Sequence, residues 1–234
     1  MLSKAHDVGA PSLLDALRTG TSLLHVALEK RLPFFSERLD ADGYRRLLQA
    51  YHGFYAPIEA ALYASGLIPA GFDTALRVKT PTLVSDLHGL GLDDAAINAL
   101  PHCTALPRLD TPAACLGVLY VLEGATLGGQ VLRREMAQRF GIDATNGGAF
   151  LDVYGPETGR RWKDFLDYLG IQALDAEAQQ RAVHAARSTF SGFEGWLDSQ
   201  EVLLGTPKIV NRCLPTAPTN PFAFLGRFSL TVCC

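Results

Sequence analysis

Little in this chain is arranged to cross-link it. Its 234 residues hold five cysteines, an odd number, and none of them stand in CxxC spacing. That excludes a disulfide framework or a cysteine-based zinc site as the organising principle and predicts reduced thiols. Excess charge of one sign is scarce too. A formal net charge of −3 leaves no electrostatic footprint for nucleic acid or a membrane surface. Long hydrophobic runs are missing: the longest, Ala113 to Leu122, has ten residues and stops at Glu123. That is about half of the roughly 20 residues a bilayer-spanning helix needs, so it reads as a buried core helix. The opening MLSKAHDVGAPS has no apolar centre of the signal-peptide kind. A cytoplasmic protein is therefore expected, with neither nucleic acid nor membrane among its partners.

Alternating strand patterns, internal repeats and coiled-coil heptads are also absent. What is present is helical periodicity. Leu13, Leu14, Leu17, Thr21, Leu24, Leu28 and Leu32 recur at three- and four-residue steps behind Ser12, a plausible N-cap. Asp42 opens a second helix, in which Pro57 predicts a kink or break. Shorter helical pieces fall at 80–92 and 93–101, and a long helix is expected from Pro112 through to about Phe140. Two more amphipathic helices follow, around 156–170 and 175–200. The expected fold is all-α and single-domain, spanning 12–200, with an N-terminal extension over 1–11 and an irregular C-terminal tail over 201–234.

Two features could carry chemistry. In HVALE, His25 borders the apolar face of the first helix and Glu29 lies at i+4 on the same side. A neutral imidazole there suits a single axial ligand for haem iron, and equally suits a buried histidine bonded to a carbonyl. In VLEGATLGGQVL, Gly124, Gly128 and Gly129 occupy neighbouring turns of a helical pattern. Each glycine inside a helix costs about 1 kcal/mol relative to alanine. Bare backbone admits a flat ligand to the peptide groups and lets the helix bend; close helix–helix packing is the alternative reading. Tyr51, His52 and Tyr55 cluster on the second helix, where tyrosines at this spacing are expected to be core residues with hydroxyls reaching outward.

Together, HxxxE in the first helix and YVLEGATLGGQVL about a hundred residues later resemble the haem oxygenase family. The bacterial branch associated with bacteriophytochromes is the nearest in pattern, and ARSTFSGFEGWL has the look of the family's closing helix. The resemblance runs from about residue 12 to 198. It implies haem b, both substrate and cofactor, held between a proximal and a distal helix. His25 would ligate the iron, with Glu29 orienting its ring and Thr21 one turn away. Gly124, Gly128 and Gly129 would leave room for dioxygen. Arg187 and Arg18 would meet the propionates through their bidentate forks. The implied reaction yields biliverdin, carbon monoxide and ferrous iron. Its electrons would come from an external donor such as ferredoxin or a reductase, and a bacteriophytochrome would be a recipient of the product. Many members carry an aspartate just after the first distal glycine; this chain has Ala125 there. A haem carrier or sensor without turnover, and a haem-free helical relative of the thiaminase kind, are the alternatives that departure keeps open.

Overall fold

A hydroxyl opens the first helix. In this computed structural model, which describes residues 12–205, Ser12 caps α1 (Leu13–Arg31) by accepting a hydrogen bond from the Asp15 N–H. The same device starts most of the others. Asp40 caps α2 (Ala41–Ala64), Asp93 caps α4 (Asp94–Asn98), Thr111 caps α5 (Pro112–Gly124) and Asp175 caps α8 (Ala176–Ser199). Each side chain satisfies an N–H that the first turn leaves without a partner. The remaining helices are α3 (Thr80–Gly89), α6 (Gly129–Phe140) and α7 (Thr158–Gly170), with short 3₁₀ turns at 33–35, 150–152 and 155–157. Among the described residues there is no β-strand. The predicted 1–11 extension and the 206–234 part of the predicted tail lie outside the described residues.

α5 is buried on every side, from Ala113 to Glu123. It packs against α8, which in turn packs against α1. Small residues bring these helices close: a Cβ on Gly117 would lie 2.0 Å from the Ala182 carbonyl oxygen, and one on Gly20 would lie 2.4 Å from Val183 Cγ1. At the far end of α1, Arg31 bonds Glu194 at 2.8 Å and also bonds Asp198, both on α8. The Leu204 N–H donates to the Arg31 carbonyl at 2.8 Å, so the first residues of the expected tail are pinned to α1.

One sequence expectation narrows and another needs correction. Of the kink or break expected at Pro57, the break is absent: α2 continues through it to Ala64. Proline takes the hydrogen bond from the carbonyl four residues back, and that carbonyl, Gly53 O, accepts instead from the Cys103 N–H at 2.8 Å. The long helix expected over 112–140 is two helices. Although that span is long and apolar enough to cross a membrane by length and composition, 61% of its most apolar window is buried inside the protein. Between the two pieces the bonds shorten to i→i+3: Thr126 N–H to Glu123 O, Leu127 N–H to Gly124 O and Gly129 N–H to Thr126 O, at 3.1 to 3.3 Å. The Thr126 hydroxyl adds a 2.8 Å bond to Glu123 O. A tightened turn of this kind breaks the α-helical ladder and redirects the chain.

Candidate active site

That redirected segment forms one wall of the principal cavity. Gly124, Ala125, Thr126, Gly128 and Gly129 face it, and His25, Leu28, Glu29 and Leu32 of α1 form another wall. Tyr51, Phe54 and Tyr55 of α2, Phe150, and Phe190 and Phe193 of α8 supply aromatic lining. An apolar slot with few polar groups suits a large flat ligand.

His25 is partly exposed within this cavity. Its Nε2 sits 3.4 Å from Glu29 Oε1, and its ring meets Phe190 edge-on at 5.9 Å. Ligation through Nε2 therefore requires the imidazole to swing away from the carboxylate. Tyr51 and Tyr55 are buried, with rings stacked 6.2 Å apart, rather than turned out to solvent. Burial pushes both phenols well above the usual tyrosine range.

Two of the three glycines separate into different roles. A Cβ on Gly129 would fall 1.5 Å from the Leu151 carbonyl oxygen, so close packing demands glycine there. A Cβ on Gly124 would meet only the Trp162 ring, at 3.8 Å. Both readings of the segment thus apply at once: it lines the cavity, and at Gly129 it also presses backbone on backbone.

Three of the sequence candidates stand outside the cavity lining. Thr21 is buried, with its hydroxyl on the Leu17 carbonyl at 2.7 Å. Arg187 is exposed and donates to Gly20 O at 3.3 Å. Arg18 is half-buried, and its Nε has no hydrogen-bond partner.

Behind the distal wall lies a charged cluster with no local sequence signature. Glu123, 2% exposed, accepts from Arg77 at 2.5 Å, from Lys79 Nζ at 2.7 Å and from the Tyr154 hydroxyl at 3.0 Å. Glu59 accepts from the Lys79 and Thr80 N–H groups and from the Thr80 hydroxyl. Buried carboxylates survive only when paired and hydrogen-bonded in this way. The signal was distributed: Glu123 only marks the end of the apolar run, and its cations lie more than forty positions earlier.

Comparison with known proteins settles the family. A sequence model described as Heme oxygenase matches residues 11–199. A curated haem oxygenase from Xanthomonas campestris pv. campestris (strain 8004) is 30% identical over 166 residues, covering 69% of this chain and 93% of that protein. The chain belongs to the haem oxygenase family. Solved haem oxygenases share the fold. The one from Leptospira interrogans superposes with a TM-score of 0.68 at 19% identity, covering 81% of this chain and all of that one. Haem oxygenase-1 from Synechocystis sp. PCC6803, solved in complex with heme, gives 0.66 at 15% identity, covering 82% and 93%.

This haem oxygenase is accordingly an all-α enzyme of haem degradation, and the haem-free thiaminase-like alternative falls. The donor set fits the group. His25 would hold the iron through its imidazole, and the apolar, aromatic lining around it suits a macrocycle.

Proposed function

We propose that the chain opens haem oxidatively to biliverdin, releasing carbon monoxide and ferrous iron, with electrons from an external ferredoxin or reductase. A bacteriophytochrome is the proposed recipient of the biliverdin. The observation that carries this reading is that His25 and the 124–129 backbone line one aromatic-lined cavity. When bound, haem supplies both the substrate carbon framework and the iron that activates dioxygen.

The chain's own residues do the rest. His25 would hold the iron through an imidazole presented from α1. Glu29, one turn along α1 and 3.4 Å from His25 Nε2, would orient the ring as an outer-shell carboxylate once that nitrogen turns to the iron. Gly124 and Gly128 bring main chain, not side chain, to the cavity. Tyr51, Phe54, Tyr55 and Phe193 pack their rings together around the slot and keep bulk water out.

The test is absorption spectroscopy of the purified chain with haemin and a chemical or ferredoxin-type reductant. Conversion of the haem spectrum to that of a green biliverdin product is expected; unchanged haem would sink the reading. His25→Ala should still fold but lose the histidine-type Soret band and cut product formation by about 100-fold or more.

A further inference from the structure

Lys79 is the one lysine or arginine among the described residues that line the cavity, and it is 2% exposed. Its ammonium carries three donors. Glu123 Oε1 takes one at 2.7 Å and the Arg77 carbonyl takes another at 3.0 Å. The Tyr154 ring, 5.4 Å away, offers a π face but no lone pair at bonding distance. A buried ammonium with a donor to spare is costly unless something in the cavity accepts from it. Glu123 lies on the last turn of α5 beside Gly124, so Lys79, bonded to it, stands with the glycine wall of the cavity.

Given the haem reading above, on which this inference rests, we propose that Lys79 is the positioning residue for water on the dioxygen-facing side of the haem. It takes the place that a carboxylate at position 125 would fill, and Glu123, Tyr154 and Arg77 hold it in register. Ala125 has no polar group to offer, Thr126 spends its hydroxyl on Glu123 O, and Gln130 is exposed. The surrounding charges are Arg77 and Lys79 against Glu123, then Glu59 on the far side of Lys79, and Arg161 over the Tyr154 ring at 4.8 Å.

Carbon monoxide bound to the ferrous haem complex of the full chain is the probe. A positive potential at its outer end draws electron density into the C–O antibonding orbital and lowers the infrared stretch. Lys79→Met should raise the stretching frequency, Lys79→Arg should hold it near wild type, and Glu123→Gln should lower it. Biliverdin formation in Lys79→Met should fall about 10-fold or more. General loosening of the pocket would move the Lys79→Met and Glu123→Gln bands the same way, and that outcome, or no movement, overturns the proposal. If Lys79→Met fails to accumulate folded and loaded, Lys79→Gln and Glu123→Gln read the same shifts. A wild-type chain that takes up no haem overturns the parent reading together with this one. A wild type that makes biliverdin while the variants' bands stay still overturns this one alone.

Discussion

His52 is 6% exposed, and its Nδ1 has no hydrogen-bond partner. Its ring centroid lies 5.7 Å from that of His102. Burial, aided by the neighbouring imidazole, lowers its pKa below the ordinary histidine value. With a depressed folded-state pKa, the unfolded chain binds the proton first as pH falls. Stability from this site is thus whole above about pH 6.5 and drains away below it. Urea midpoints at pH 7.5 and 5.5 should show wild type weakening toward acid, and His52→Gln should weaken less; equal slopes would refute the assignment. Nothing in LQAYHGFYAPIE announces which of its titratable side chains is so enclosed. Periodicity places His52 on a helix, but its enclosure depends on the 99–111 loop, which has no pattern of its own.

At the scale of elements, the break between α5 and α6 is where reading from sequence stopped short. The apolar run and the helical spacing made the helical character of 112–140 legible, as one helix rather than two. Three glycines signalled bending, yet the position of the break follows from a contact with the 150–152 turn that lies some twenty residues on. Gly129→Ala must push Leu151 O away from a Cβ placed at 1.5 Å, and should cost about 1–3 kcal/mol as overpacking. Gly124→Ala meets only the Trp162 ring at 3.8 Å and should gain about 0.4–1 kcal/mol from a stiffer unfolded chain. Denaturant titration of the two apo variants checks this, and equal effects would discard the distinction. Pro57 shows the same dependence on distant partners. Its penalty was visible in sequence, but its relief by the Cys103 N–H, from another part of the chain, was not.

For the whole molecule, a slot walled by α1, α2, α8 and the 124–129 segment exists only in the folded chain. Haemin at 100 times its dissociation constant should therefore stabilise the fold by about 2.7 kcal/mol. In a chain of this size that raises the melting temperature by about 5–10 °C. Differential scanning calorimetry should find the rise in wild type and a smaller one in His25→Ala; equal rises would show that His25 adds nothing to binding. The all-α class could be read from residues alone, and His25 and the glycine segment, singled out in the same way, line one cavity of the fold. The charged network of Glu59, Arg77, Lys79, Glu123 and Tyr154 could not, because it joins four separate stretches and no one of them carries the pairing in its own sequence.

The all-round burial of α5 also has a meaning in time. Its apolar faces are covered by α8, which begins roughly 50 residues after α5 ends. A ribosome adding about 5–20 residues per second needs roughly 2–10 s to make that stretch. For those seconds the nascent chain carries a naked, greasy cylinder with a single carboxylate at its tip. Its yield in a cell should thus hinge on how fast translation runs between codons 124 and 199, and on whether a chaperone holds the segment meanwhile.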